Sequence, residues 1–292
     1  MVKLFFDTDC DITPEVAKHY NATLISMPYI VEDEIIFPYR DWEKYDAKAF
    51  FDGILRKKGI IPTTAALSEE EYRQYFEPEL EKGNDILYVH FSRVMSASFA
   101  NLDACAEKLL AKYPGRRIDL IDTKGITLGS YALARAMGDL YLAGKSVDEI
   151  KAWAKENVDK QGFYFFADNL KFFGKSGRVS GFAAFMGGII GVRPIICIKE
   201  DGKMQSIDKA VGTRKKALDK ILQYVVDLED HIKDYPVVVA HGDAMYLVDE
   251  FVKMLKDKFG QDLKVEVIDV NPTAGSHCGP DVLGVTFHAK HR

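Results

Sequence analysis

Apolar segments with strand character alternate with amphipathic helical segments along the first half of this chain. Residues 85–91 and 117–122 have the composition of buried strands, and helical patterns follow them at 99–112 and 126–143. Because strands separated by helices usually pair in parallel, this order predicts a mostly parallel sheet covered by helices on both faces. Residues 1–160 are therefore expected to form an N-terminal α/β domain.

The order of the elements changes after residue 160. Two predicted strands, 194–199 and 203–209, are separated by a short Asp-Gly turn, which indicates an antiparallel hairpin. Two helix–strand pairs follow this hairpin toward the end of the chain. A hairpin combined with such pairs predicts a second α/β domain, residues 161–292, with a mixed sheet. The fold class is thus predicted to be α/β with two domains.

Charge and cysteine usage restrict the partners and the compartment. The net charge of −5 argues against a nucleic-acid partner, because phosphate binding needs a basic surface. The four cysteines are scattered without a C-x-x-C pair, which is typical of a reducing compartment rather than of a disulfide framework. The first residues pass from an apolar run directly into acidic residues, unlike a signal peptide. We therefore expect a cytoplasmic protein.

Three aspartates follow the first predicted strand at alternate positions, namely Asp7, Asp9 and Asp11. They do not form a calcium loop, because Ile12 stands where that loop needs glycine and Lys18 where it needs glutamate. The spacing of Asp7 and Asp9 matches a magnesium-dependent phosphohydrolase of the haloacid-dehalogenase type, which remains an alternative function. The simpler interpretation is that Asp7 and Asp11 accept backbone hydrogen bonds in the turn after the strand.

A second feature is a helical stripe of large apolar residues in the second half of the chain. Its members, spaced as on one face of a helix, are Phe182, Phe185, Met186, Ile189 and Ile190. Only about 12 uncharged residues separate Ser180 from Arg193, whereas a membrane span needs roughly 20. The stripe is either ordinary core or one wall of a pocket for a long apolar molecule, with Arg178 beside an anionic head.

The polar residues do not form a recognisable catalytic motif. Ser96 and His277 have the chemistry of an acyl-transfer pair, but the chain contains no Gly-x-Ser-x-Gly motif and no identifiable third group. His288 and His291 have a spacing that suits a metal, but they lie at the C-terminus and are better explained as surface residues. We therefore predict no catalytic residues, no metal site and no cofactor. The role of Cys278, next to His277, stays open.

Several stretches, taken in order, resemble one protein family over nearly the whole chain. Asp7-Thr8-Asp9-Cys10-Asp11-Ile12 is similar to an Asp-Ser-Thr-Ala-Asp-Leu motif, and Thr64-Ala65-Ala66-Leu67-Ser68 keeps the two ends of a Thr-Ser-Gln-Pro-Ser motif. The remaining similar stretches are Ser92 through Phe99, Lys175-Ser176-Gly177-Arg178-Val179-Ser180, Arg193-Pro194-Ile195-Ile196, Gly212-Thr213-Arg214-Lys215-Lys216-Ala217 and Gly275-Ser276-His277-Cys278-Gly279-Pro280. The chain thereby resembles the DegV proteins, a bacterial family of fatty-acid-binding proteins.

This resemblance implies a function and a site. In the family, residues at the positions of Thr64, Ser96, Arg178 and His277 surround the carboxylate of a long-chain fatty acid, and the tail runs into the second domain. The resemblance thus implies a lipid site between two α/β domains and a carrier rather than an enzyme. It also implies a partner, because some members present the acyl group to a separate fatty acid kinase for phospholipid synthesis. A carrier of this kind is expected to contact membranes only transiently.

Overall fold

The computed structural model describes residues 1–180 and 191–292. In chain order, the strands in these ranges are β1 (Val2–Asp7), β2 (Thr23–Ile25), β3 (Tyr29–Val31), β4 (Glu34–Ile36), β5 (Thr63–Thr64), β6 (Asp85–His90), β7 (Ile118–Asp122), β8 (Gln161–Phe166), β9 (Val179–Ser180), β10 (Val192–Ile198), β11 (Met204–Val211), β12 (Val237–His241), β13 (Val265–Asp269) and β14 (Leu283–His288). The helices are α1 (Pro14–His19), α2 (Glu69–Glu81), α3 (Ser98–Lys112), α4 (Leu128–Leu142), α5 (Val147–Asn157), α6 (Leu170–Ser176), α7 (Arg214–Leu228), α8 (Met245–Phe259) and α9 (Pro272–Cys278), with a π-helix at Ala49–Lys57.

The strands form three sheets among the described residues. A parallel sheet has the order β2-β1-β6-β7, and a seven-stranded mixed sheet has the order β13-β12-β14-β8-β10-β11-β9. The third sheet is small and antiparallel, with the order β4-β3-β5. The predicted α/β fold, with a parallel sheet followed by a mixed sheet, is confirmed. The strands of the parallel sheet end before residue 123 and those of the mixed sheet begin at residue 161, but a domain boundary at 160 stays a prediction.

Apolar side chains pack against both faces of the mixed sheet. One strand can contribute to both packing layers, because its successive residues point to opposite faces of the sheet. Phe163 and Phe165 of β8 belong to the same core cluster as the side chains of the parallel sheet, such as Leu4. Tyr164 and Phe166 of the same strand belong to a second cluster, which contains the apolar faces of α7 and α8. The first cluster therefore joins the two large sheets, and any cavity between them has an apolar wall.

The apolar run at residues 24–30 predicts one strand, but the structure has parts of two strands there. The first part of the run pairs with β1 as β2, whereas its last part crosses to the small sheet as β3. Pro28 lies between the two parts and has no N–H to donate to a ladder, which explains the break. The crossing matters for the site, because β3 pairs with β5 and sets Thr64 opposite Tyr29.

The segment before the last strand also differs from expectation. The sequence of residues 271–280 predicts a tight loop, yet this segment contains α9. Asn271 caps this helix, since its side chain accepts a hydrogen bond from the backbone N–H of Ala274, and Pro272 lies in the first turn. These are ordinary helix-start signals. The consequence is that His277 stands on a helix and not at a loop tip.

The apolar stripe lies outside the described residues, because Phe182, Phe185, Met186, Ile189 and Ile190 all fall within 181–190. Among the helices of the two described ranges, none is both long enough and apolar enough to cross a bilayer. All four cysteines are buried free thiols.

Candidate functional site

A cavity lies between the carboxyl-terminal edge of the parallel sheet and one face of the mixed sheet. About 820 Å³ of space free of protein atoms lies within it, and this figure includes open solvent at its mouth. Most of its wall is apolar, with Phe91 from the parallel side and Phe163 and Phe165 from β8. Its position agrees with the general rule that ligands of α/β folds bind at the carboxyl ends of strands.

The four polar residues that the sequence singled out all line this one cavity. Thr64 belongs to β5, Ser96 follows β6, Arg178 follows α6 and His277 lies in the last turn of α9. Arg178 is exposed, whereas the other three are partly buried, so this polar cluster marks the mouth. Thr64 and His277 are 213 residues apart in the sequence, and only the fold brings them together.

Thr64 and His277 are in direct contact. The hydroxyl of Thr64 lies 3.1 Å from Nε2 of His277, and the two groups share a hydrogen bond. Ser96 is held differently, since its hydroxyl donates to Ser98 at 3.0 Å, and the Ser98 hydroxyl accepts from the backbone N–H of Leu67. This chain of bonds ties the loop after β6 to the loop after β5. The hydroxyl partner of His277 is thus Thr64, which argues against a Ser96–His277 acyl-transfer pair.

The imidazole of His277 is neutral at neutral pH. Burial lowers the pKa of His277 to about 4, and the positive charge of Arg178 acts in the same direction. A neutral imidazole has one N–H donor and one acceptor, so it can donate to an anion while its second nitrogen accepts. An anion at the mouth would favour the charged form and raise this pKa again.

Asp7 has a structural role. One of its oxygens accepts from the backbone N–H of Cys10, and the other accepts from the Tyr88 hydroxyl and the backbone N–H of Phe91. The side chain is fully buried, and burial raises the pKa of Asp7 to about 6. A carboxylate with both oxygens engaged and no exposure is poorly placed for attack on a phosphoryl group. The geometry therefore favours the backbone-binding interpretation over the phosphohydrolase.

Asp11 and Asp9 differ from Asp7. Asp11 accepts from both the backbone N–H and the side-chain amide of Asn271, and so anchors the start of α9. Asp9 lines the cavity, and its Oδ1 is buried without a hydrogen-bond partner among the described residues. The sequence pattern gave Asp9 a role only in the phosphohydrolase alternative and did not place it in the lipid site. The only available signal was its position in the turn after the first strand, which does not tell which aspartate faces a cavity.

The suggested metal pair at the C-terminus does not converge. Nδ1 of His288 lies 2.9 Å from the carbonyl oxygen of Asp230, and the ring stacks on Tyr235, whereas Nδ1 of His291 lies 2.8 Å from the carbonyl of Arg292. Within 1–180 and 191–292, no group of three or more His, Cys, Asp or Glu side chains is arranged to hold a metal ion.

Comparison with known proteins identifies the family. The family model described as an uncharacterised protein family, DegV, matches residues 1–290. A DegV domain-containing protein of Clostridium perfringens is 28% identical over 288 residues, which cover 97% of this chain and 96% of that protein. A second, from Clostridium acetobutylicum, is 26% identical over 291 residues, with 99% and 98% coverage.

Solved structures have the same fold. A stearic acid-binding protein of Eubacterium ventriosum matches with a TM-score of 0.85 at 20% identity, over 99% of both chains. A DegV family protein of Eubacterium eligens, loaded with heptadecanoic acid, matches with a TM-score of 0.83 at 19% identity, over 99% of this chain and 100% of that one. At these identities the likeness establishes the fold. Since the family model spans nearly the whole sequence, this chain belongs to the DegV family.

Proposed function

We propose that this protein binds one long-chain fatty acid, with the carboxylate at the polar cluster and the tail in the apolar cavity. The observation that carries the proposal is the meeting of Thr64, Ser96, Arg178 and His277, from four distant segments, at the mouth of one largely apolar cavity. The fatty acids that two proteins of this fold hold, stearic and heptadecanoic acid, support the same ligand class.

The polar cluster suits a carboxylate. An anion that leaves water must recover its hydrogen bonds in the protein, and bonds to charged groups are the stronger ones. Thr64 and the neutral ring of His277 share one hydrogen bond, so this pair offers one further donor to a carboxylate without adding charge. The Ser96 hydroxyl can turn from Ser98 to donate a second hydrogen bond, and Arg178 supplies a positive charge. We propose these four residues as the carboxylate site and no residue as catalytic.

The tail supplies most of the affinity. Burial of about 15 methylenes at roughly 0.8 kcal/mol each amounts to about 12 kcal/mol before ordering and association costs. Phe163, Phe165 and Phe173 line the cavity and are buried, so they suit an alkyl chain. We propose that the apolar stripe of Phe182, Phe185, Met186, Ile189 and Ile190 completes this wall.

We expect a long-chain fatty acid to be present in the purified protein without being added. Mass spectrometry of an organic extract should find it at close to one molecule per chain, and a protein of similar size purified in parallel should lack it. If the extract contained no fatty acid, and the delipidated protein also failed to bind stearic or oleic acid, the proposed function would be wrong.

We further propose that the protein is a cytoplasmic carrier that presents the carboxylate to a fatty acid kinase and contacts membranes only transiently. The exposure of Arg178 supports this, because the carboxylate would then lie where a second protein can reach it. The basic residues Arg214, Lys215 and Lys216 at the start of α7 are less available for docking of a kinase. Arg214 is paired with Asp168 at 2.6 Å, and Lys215 is paired with Asp219 at 2.8 Å.

Acyl phosphate should form when a fatty acid kinase and ATP are added to the loaded protein, and the free protein provides the control. Absence of acyl phosphate with a kinase that accepts another DegV protein would contradict the partnership and leave the lipid site intact.

A further inference from the structure

Asp9 is an acidic residue among the residues that line the cavity, most of which are apolar. It lies in the 3-10 turn Thr8–Cys10 after β1, and only 5% of its surface is exposed. Its backbone carbonyl accepts from the N–H of Thr127 at 2.7 Å, which holds the turn against the start of α4. The side chain does not hold the turn in this way, because its Oδ1 is buried and has no hydrogen-bond partner among the described residues.

The contacts of Asp11 place this turn at the end of α9 that is opposite to His277, and we infer that Asp9 lies away from the polar cluster. Asp11, two residues further on, holds Asn271 at the N-terminal end of α9, whereas His277 stands six residues later at the other end. Six residues of helix span about 9 Å. The electrostatics agree, because Arg178 contributes to the lowered pKa of His277, whereas Asp7 and Asp11 contribute to the raised pKa of Asp9. A ligand held by its carboxylate at the mouth would therefore pass Asp9 with its tail.

A plain alkyl tail does not suit this wall. Buried polar groups in proteins are nearly always hydrogen-bonded, and one left unpaired costs free energy. Methylenes cannot pair with Asp9, so a saturated chain would leave Oδ1 of Asp9 without any partner. A hydroxyl on the chain would both donate and accept, and so would complete the carboxyl group.

We propose that Asp9 makes the cavity selective for acyl chains that carry a hydroxyl group part-way along the tail. The inference rests on the proposed fatty-acid function and names its substrate class more narrowly. Burial raises the pKa of Asp9 well above its ordinary value, with Asp7 and Asp11 adding to the effect. This shift favours the protonated carboxyl, which can donate to the hydroxyl through one oxygen and accept through the other.

The test compares stearic acid with a mid-chain hydroxystearic acid in equilibrium binding to the delipidated protein. The natural protein should bind the hydroxylated acid at least about tenfold more tightly, which corresponds to roughly 1.4 kcal/mol. Asp9→Leu should remove or reverse this preference, whereas Asp9→Asn should keep much of it, because an amide also donates and accepts. Circular dichroism checks that each variant is folded.

The outcomes separate the two proposals. Equal affinities of the natural protein for both acids, or a preference that survives in folded Asp9→Leu, would overturn the inference and leave fatty-acid binding standing. Failure to bind either acid would overturn the fatty-acid function and the inference with it. A measurement that needs no variant is the lipid extract of the natural protein, in which hydroxylated chains should be enriched over the extract of the host cells.

Discussion

Replacement of Thr64 by valine is expected to weaken the binding of a long-chain fatty acid by about 10- to 100-fold. The Thr64 hydroxyl is within hydrogen-bond distance of His277 and faces the cavity. Valine has nearly the same shape but cannot donate, and a hydrogen bond to a charged group contributes roughly 1.5–3 kcal/mol. The loss should fall on affinity and not on folding, since Thr64 is only partly buried. Titration of the delipidated protein with stearic acid measures the effect.

Thr63→Val is the matched control for this variant. Thr63 precedes Thr64 in β5, and it is exposed rather than turned to the cavity because side chains alternate along a strand. The same chemical change at Thr63 should leave the affinity within about twofold of the natural protein, well under the roughly 1.4 kcal/mol of a tenfold change. Equal losses in the two variants would show that β5 is merely perturbed, and no loss at Thr64 would remove this hydroxyl from the carboxylate site.

Replacement of Gly279 by alanine is expected to destabilise the protein by about 2–5 kcal/mol, from backbone strain and overpacking together. Gly279 ends α9 with φ +73° and ψ −177°, a conformation that is essentially restricted to glycine. A Cβ at this position would also run into the ring of Phe172, which is buried in α6. Urea denaturation should show a clearly lower midpoint.

The same variant should weaken lipid binding, because Gly279 is two residues from His277 and a displaced α9 would carry the imidazole with it. Gly144→Ala is the control for the backbone term. Gly144 also has a positive φ, +77°, but nothing lies within 4 Å of a Cβ placed there. The Gly144→Ala variant should lower the free energy of unfolding by only about 1–2 kcal/mol. If both variants lost the same stability, the contact with Phe172 would be unimportant.

Elements with local signals were predicted well. The pairs Ser68 with Glu71 and Ser146 with Glu149 match the capping-box pattern in the sequence, and both form capping boxes at the starts of α2 and α5. This signal is local, because the two partners lie within one helical turn. Pro28 and Asn271 are local signals too, for a break in a strand and for the start of a helix, but the predictions of one strand at 24–30 and of a loop at 271–280 were wrong. A short apolar run does not reveal which of two sheets its halves will join.

The motifs selected the residues of the proposed carboxylate site but did not indicate their geometry. Similar motifs led to Thr64, Ser96, Arg178 and His277, and the fold places all four on one cavity. Nothing in the motifs indicated that Thr64 would be the hydrogen-bond partner of His277. Asp9 shows the same limit, since three alternating aspartates look equivalent in the sequence, yet Asp7 binds backbone, Asp11 holds α9 and Asp9 faces the cavity.

The amino-acid sequence by itself determined the α/β class, the change from a parallel to a mixed sheet and the family, because alternation, caps and motifs depend on residues close in the chain. The tertiary structure alone decided which polar groups share a wall, which carboxyl oxygens are left unpaired and how far the imidazole of His277 loses its charge. These properties depend on burial and on contacts between residues as many as 213 positions apart, and no local pattern encodes them.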